Sequence, residues 1–522
     1  MRLLRHFFLR LVPLGVIAGV VAVMFTSGTP VQSDRIAAIG LDGGPGSAYA
    51  SGGFDSLSAA EMSAGVTYVR EVLDWSQIEP SAGTYNWASP VPYAAIFSSE
   101  KAQGFKVVAV LNGGPEYLTD AQGGVLDSTQ FLVRWANFVQ SAVDTLGDNV
   151  DVWEIGSQIN TSTGMSPFLT PSSPTGSTTP DPKLYAQMLI VANKIVKAAD
   201  PNDEVWMGSL VSAESGQCAM NPLTFLLEVN GDKGWNAVDS LEYTPARGAI
   251  APEAAGKGTN SACSSSLPTA GTTLSGDVQS LQDLARQLGG KAVRIEGLGW
   301  SADELKTLSA NRSISSDQVL ADDLTRATVQ LAGSNGLTNF FWQVDPSSQA
   351  AAFTALGNLN SVLTGAQLQS QPQGASGSVF EYRFSKGSQW IIVAWHAQDG
   401  DNPVPVTLSD LPVSSLTAYA VDAAGFISGA GTPIPVDSSG NATLLLNERP
   451  VVFLGKTADL GTAMQQDAAY QTGQWEFEIK QAAHQGENQL KAAMLHALEN
   501  LFDSAKDKAV QWGEDKLNNL LN

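Results

Sequence analysis

The chain has 522 residues, 43% of them hydrophobic, and a formal charge of −22. That length is ample for a large core and too great for one ordinary domain. A surface this acidic repels phosphate backbones, so nucleic acid is excluded as a natural partner, while neutral glycans and basic proteins remain. The four histidines are His6, His396, His484 and His496. Residues 36 to 350 therefore cannot build a Ser-His-Asp triad, a Cys-His pair or a histidine zinc site.

Arg2, Arg5 and Arg10 flank an apolar run from Leu11 to Phe25. As a helix that run rises about 22 Å, short of a comfortable bilayer span and suited to the core of a signal peptide. No clean Ala-x-Ala site follows. With Phe7 to Leu9 added and Arg10 snorkelling, the same segment would hold as an anchor. Residues 1–30 are thus read as a signal peptide or an N-terminal membrane anchor, and either choice puts the rest of the chain outside the cytoplasm, secreted or membrane-anchored.

From Arg35 to Ser347 short apolar strands alternate with helical patterns. Val107 to Leu111, Val150 to Ile155, Val205 to Leu210, Ala292 to Ile295 and Thr338 to Trp342 are predicted strands. Phe131 to Val143, Tyr185 to Ala198, Leu281 to Leu288 and Leu320 to Ala332 are predicted helices. This alternation predicts an α/β fold with a parallel sheet, and the repeat count fits a closed (β/α)8 TIM barrel over residues 34–365. In such barrels function sits at the C-terminal ends of the strands. The Ser/Thr/Pro-rich stretch 162–181 and the loop-like stretch 248–276 both follow strands and are expected over that mouth. Cys218 and Cys263 are the only cysteines, and no CxxC is present, which argues against a thiolate cluster. In an oxidising compartment the two could close one disulfide, though nothing in the sequence shows that they meet.

From about Ser376 the hydrophobic period changes to two. Phe380 to Phe384, Trp390 to Trp395, Val404 to Leu408, Thr417 to Val421, Ala442 to Leu446 and Val451 to Leu454 predict a small antiparallel β-sandwich over 376–456. Residues 463–522 carry apolar side chains at three- and four-residue steps, among them Leu490, Met494, Leu498, Leu501 and Phe502. This predicts an amphipathic helical tail, folded back on its own domain, docked on a partner or laid on a membrane.

Several segments in order resemble the clan A glycoside hydrolases. Arg70 to Trp87, with its Trp75, Ile78-Glu79-Pro80 and Gly83-Thr84-Tyr85, is similar to that clan's second strand and loop. Lys106 to Pro115 resembles the third strand and Asn149 to Asn160 the fourth. Lys291 to Trp300 resembles the seventh, Asn339 to Gln343 the eighth, and Asn447 to Leu454 the last strand of the accompanying sandwich. The resemblance implies a glycan at the barrel mouth and two catalytic carboxylates. One is a proton-donating Glu after the fourth strand and the other a nucleophilic Glu after the seventh, about 5 to 5.5 Å apart.

Here the pattern breaks. The clan's Trp-Glu-Ile-x-Asn-Glu-Pro-Asn reads Trp153-Glu154-Ile155-Gly156-Ser157-Gln158-Ile159-Asn160 in this chain. Ser157 stands where an Asn would hold the sugar, and Gln158 stands at the acid/base. A carboxamide has no proton to give. Aligned on Gly299-Trp300, the nucleophile position falls on Gly297, with Glu296 one residue early and so on the opposite face unless a bulge re-aims it. The sixth-strand His-x-Tyr is altered too: Asp239 to Tyr243 keeps the Tyr and has no His.

The resemblance implies that Arg70, Asn112, Trp153, Tyr243, Trp300 and Trp342 approach the cleft, with Trp342 as the sugar platform. Glu154 is read as part of the barrel's framework, and Glu116, Glu242 and Asp345 as solvated loop charges. Three readings of function follow. One is a degenerate, extracytoplasmic glycosidase that binds a glycan or scaffolds an envelope assembly. Another is an active retaining hydrolase or transglycosidase using Glu296. A third, weaker reading is a structural subunit with a closed cleft. No residue pattern calls for a metal or cofactor.

Overall fold

The structure is a computed structural model. It describes residues 36–118, 128–162, 164, 180–212, 219–256, 273–370, 378–397, 402–426, 429, 431–437 and 439–456. Both cysteines, the N-terminal apolar run and the amphipathic tail lie outside the described residues, so the expectations about them stand as they were.

Eight strands form one parallel sheet: β1 (Ala38–Leu41), β2 (Tyr68–Asp74), β3 (Lys106–Asn112), β4 (Val152–Ile155), β5 (Glu204–Val211), β6 (Ser240–Thr244), β7 (Ala292–Leu298) and β8 (Asn339–Trp342). From β2 to β8 each strand is paired in parallel with its sequence neighbour, and β1 pairs with β8. The ring closes between β1 and β2, where a methyl on Gly40 would sit 3.3 Å from the carbonyl oxygen of Tyr68. This is the (β/α)8 barrel the alternation predicts.

Side chains alternate in and out along each strand. Val108, Val152, Trp206 and Phe341 form a small interior cluster. Arg294 lies over the Trp206 ring at 4.2 Å, so the lower interior is plugged. The outward positions, among them Trp153, Ile155, Leu241, Tyr243, Ile295 and Trp342, pack with the helices in the main core. Helix starts follow local chemistry. Asp181 accepts from the backbone of Leu184 at the start of Pro182–Ala199, and Ser301 with Glu304 makes a capping box before Ala302–Arg312.

The motif Trp75 to Glu79 is structural. The indole of Trp75 donates to Glu79 at 2.6 Å, and the backbone N–H of Gly83 donates to the other Glu79 oxygen at 2.6 Å. The carboxylate thereby ties down the loop leaving β2, while the Trp75 ring stacks 4.8 Å from Phe138.

Eight further strands follow in an antiparallel arrangement: β9 (Gln367–Ser370), β10 (Val379–Lys386), β11 (Gln389–His396), β12 (Val404–Leu408), β13 (Ser415–Ala420), β14 (Thr432–Pro435), β15 (Ala442–Leu446) and β16 (Val451–Lys456). One sheet runs β14-β13-β16-β11-β10-β9, and β12-β15 forms a second. The larger sheet begins at Gln367, before the predicted boundary at 376, because β9 pairs with β10. The sandwich is welded to the barrel by buried charge. Arg326, on the helix Ser316–Asn335, pairs with Glu253 at 2.6 Å and donates to the carbonyl of Glu448. The indole of Trp395 donates to the second oxygen of Glu253 at 2.7 Å, and Arg312 bridges Asp323 and Glu448.

Candidate functional site

At the C-terminal ends of the strands the inward residues change from apolar to charged. Arg70 from β2 is 4% exposed. Its Nε and Nη2 donate to the two oxygens of Glu154 from β4, each at 2.7 Å. Its Nη1 donates to Asp42 just past β1 at 2.8 Å, and its Nη2 also lies 3.0 Å from Glu296 Oε1 on β7. Burial works against the guanidinium's charge, but Glu154, Glu296 and Asp42 outweigh it and hold the Arg70 pKa well above its ordinary value. A bidentate fork of this kind fixes geometry as well as charge.

Glu296 is 4% exposed and faces inward. Its Oε2 accepts from Thr244 Oγ1 of β6 at 2.6 Å, and Ser157 Oγ stands 3.4 Å from its Oε1. This corrects the register argument from the sequence. The β7–β8 pairing shifts between Ile295 and Leu298, and Gly297 takes φ +58. A bulge therefore absorbs one residue between Glu296 and Gly299-Trp300, and Glu296 shares the inner face with Arg294 two residues before it. The extra residue in Glu296-Gly297-Leu298-Gly299-Trp300, with a Gly placed to take positive φ, was the available signal.

Gln158 follows β4 at φ +52, and its backbone N–H donates to Ser209 Oγ at 2.9 Å. Ser209 Oγ is also 3.3 Å from Ser157 Oγ. Asn160 is buried and fixes this turn by bonding Val211 through both its amide oxygen and nitrogen, and Met220 through its nitrogen. The register of the fourth-strand motif is thus secured by geometry, with a carboxamide at position 158.

Three aromatic expectations need correction. Trp342 is fully buried, and its indole donates to Thr328 of the helix Ser316–Asn335 at 2.8 Å. Phe341 takes the inner face of β8, so Trp342 points to the helical layer and offers no sugar platform. Trp153, also fully buried, donates to Asp203 at 3.1 Å, again outward. Tyr243 is 1% exposed in the same outer core, and Thr244 takes the inward place beside Glu296. Two candidates keep unused polar atoms: Trp300 Nε1 and Asn112 Oδ1 are buried without a hydrogen-bond partner among the described residues.

Glu242 is not a solvated loop charge. It is fully buried on the inner face of β6. Glu154, Glu242 and Glu296 each bring an oxygen within 4.8 Å of the others. Burial raises the Glu154 carboxyl to about 7 against the pull of Arg70, and burial with the Glu154 charge holds Glu242 well above the carboxylate range. Asp42 is raised by burial, which Arg70 opposes. Asp345 is exposed and caps its own turn through Ser347 and Ser348. Asp42, Thr244, Ser209 and Glu242 are the site members that the sequence reading missed or misplaced. At the opposite, N-terminal end of the barrel a polar depression is lined by Lys101, Lys106, Asp151, Asp203 and Glu204, away from this centre.

The arrangement supplies an oriented, buried carboxylate at Glu296 on the seventh strand, commits the fourth-strand carboxyl of Glu154 to Arg70, and has a carboxamide at residue 158. Chemically it can hold or attack an electrophilic carbon, but residue 158 has no proton to lend to a leaving group.

No protein-family model and no curated protein matches this chain in sequence. Among solved structures it is similar to a family 39 glycoside hydrolase from the gut symbiont Bacteroides cellulosilyticus WH2, at 17% identity and TM-score 0.56 over 76% of this chain and 77% of that one. It is also similar to the family 30 subfamily 8 xylanase Xyn30A from Clostridium acetobutylicum, at 11% identity and TM-score 0.51 over 82% and 98%. A conserved exported protein from Bacteroides fragilis aligns at 9% identity and TM-score 0.53 over 81% and 98%. At these identities the likeness establishes the fold alone: a parallel barrel followed by an antiparallel sandwich, as in those glycoside hydrolases.

Proposed function

We propose that this glycoside-hydrolase-type barrel is an extracytoplasmic glycan-binding protein, attached to or released from the envelope, that does not cleave glycosides whose departure requires a proton. The observation that carries the reading is Gln158 at the fourth-strand turn, in a register fixed by Asn160 and Ser209. General acid help contributes about 10² to 10⁴ in rate, and a carboxamide supplies none. The acidic surface supports a neutral glycan as ligand in preference to a polyanion. The basic flank and apolar run at Arg2 to Phe25 support export. Titrating neutral oligosaccharides into the full chain tests the proposal. It requires saturable binding with no new reducing ends, and binding to no glycan would sink it.

A second reading has one observation in its favour. The bulge turns Glu296 inward and gives it Arg70 and Thr244 as partners, as a glycosyl-accepting carboxylate needs. Substrates that leave without a proton would then turn over. Aryl glycosides with strongly acidic phenols, run beside Glu296→Ala, decide this: turnover present in wild type and absent in the variant establishes a working nucleophile.

A further inference from the structure

Glu242 takes no part in the ion pairs around Arg70. It is fully buried, and neither of its oxygens has an N–H or O–H donor among the described residues. The groups facing it are Glu154 from β4, Arg70 from β2, Glu296 from β7, and the phenol of Tyr185 from the helix Pro182–Ala199. The Tyr185 hydroxyl is committed elsewhere, donating to the carbonyl of Ile155 and accepting from the backbone of Gly208. Among the described residues the cation paired at this centre is Arg70, already shared among Glu154, Glu296 and Asp42. An ionised Glu242 would add a fourth carboxylate against a single guanidinium, in a fully buried place without N–H or O–H donors among the described residues, and such a charge is strongly disfavoured. A proton on Glu242 removes that cost and has an acceptor within reach. Each Glu154 oxygen keeps a lone pair after taking its bond from Arg70.

We infer that Glu242 is a neutral carboxylic acid whose O–H is donated to Glu154, which makes it a positioning residue: it backs the Glu154–Arg70 fork that in turn holds Glu296. The direction of its titration agrees, since burial and then the Glu154 charge favour the protonated form. A divalent cation shared by Glu154, Glu242 and Glu296 is the rival occupant, because their oxygens converge within 4.8 Å. It is the poorer fit. The Glu154 oxygens and Glu296 Oε1 are turned to Arg70, Glu296 Oε2 is turned to Thr244, and a hard cation seeks six to eight oxygens without a guanidinium beside it.

The test uses the full chain as wild type, Glu242→Gln and Glu242→Ala, melted from pH 5.5 to 9 in chelator and again in millimolar calcium. Gln keeps the shape, donates N–H to Glu154 where Glu donates O–H, and does not ionise. A carboxyl raised in the folded state makes stability fall as pH rises from the ordinary carboxylate range toward its folded value. The Gln variant lacks that slope. It should melt within about 2 °C of wild type at pH 5.5 and exceed it at pH 9, while Ala melts several degrees lower throughout. A Gln variant that falls as far as Ala at pH 5.5 would overturn the inference. So would a calcium-dependent rise of the wild-type midpoint that Gln abolishes, which would assign a cation in place of the proton. On activated aryl glycosides Gln should lose an alkaline limb that the wild-type pH profile shows. This arm rests on the second reading of Glu296. If wild type turns over no aryl glycoside, that reading fails, and the melting series still decides the state of Glu242.

Discussion

A second group of buried carboxyls gives the sharpest stability prediction. Glu61 and Glu100 are 1% and 0% exposed, and they meet Glu71 on the outer face of β2, with no Lys or Arg among the groups that shift them. The turn at Gly44 to Gly46, which follows Asp42, presses on Glu71 so closely that a methyl on either glycine would lie 2.6 Å from its Oε1. Burial, then the Glu71 charge and the bond to Glu71, raise Glu100 to about 10, so it holds a proton and donates it to Glu71. Burial also raises Glu71, to about 7, and burial with the Glu71 charge raises Glu61 to about 8. The unfolded chain releases the Glu100 proton near 4.5. Folded-state stability therefore declines as pH climbs from that value toward 10. At 1.36 kcal/mol per pH unit the decline by pH 8 has a ceiling of about 5 kcal/mol. Glu71 carries part of the same charge, so Glu100→Gln, which keeps the donor to Glu71 and the acceptor for Gly46, should gain about 2 kcal/mol at pH 8, or roughly 2 to 4 °C. Calorimetric melting of both proteins from pH 5 to 9 measures it. A variant that melts below wild type at pH 8, or a gap that fails to widen with pH, would refute the reasoning.

Three further substitutions have expected outcomes. Gly297→Ala has space, with Asp42 Oδ2 at 3.4 Å, but must hold φ +58; a loss of about 1 to 2 kcal/mol is expected in denaturant titration, with weaker glycan binding as Glu296 shifts. Arg326→Met leaves Glu253 and Asp323 buried without their shared cation and should cost about 3 to 5 kcal/mol, splitting one melting transition into separate barrel and sandwich steps. Gln158→Glu puts a carboxyl in the turn whose Ser157 stands 3.4 Å from Glu296 and should raise the hydrolysis of aryl glycosides with poor leaving groups by at least about 10².

The barrel and sandwich were legible because their signals are periodic: alternation of strands with amphipathic helices, then a period of two. What the sequence concealed was parity. Phe341 and Trp342 are both large and both buried, so nothing in the residue types says that Phe341 enters the barrel and Trp342 the helical layer. Counting back from Trp300 assumed an unbroken strand, and the bulge at Gly297 reversed the face assigned to Glu296. Glu242 was read as a solvated loop charge, whereas it lies within β6 and is buried on the strand's inner face. Ser157 and Gln158 lie in the turn leaving β4, which Asn160 holds through its bonds to Val211 and Met220.

The measurement closest to the central claim is hydrolysis and binding assayed together on unactivated neutral oligosaccharides with the full chain, beside Glu296→Ala. Saturable binding by the wild type with no release of reducing ends is the expected result. Release of reducing ends by the wild type, abolished in Glu296→Ala, would contradict it and place the missing proton donor somewhere other than residue 158.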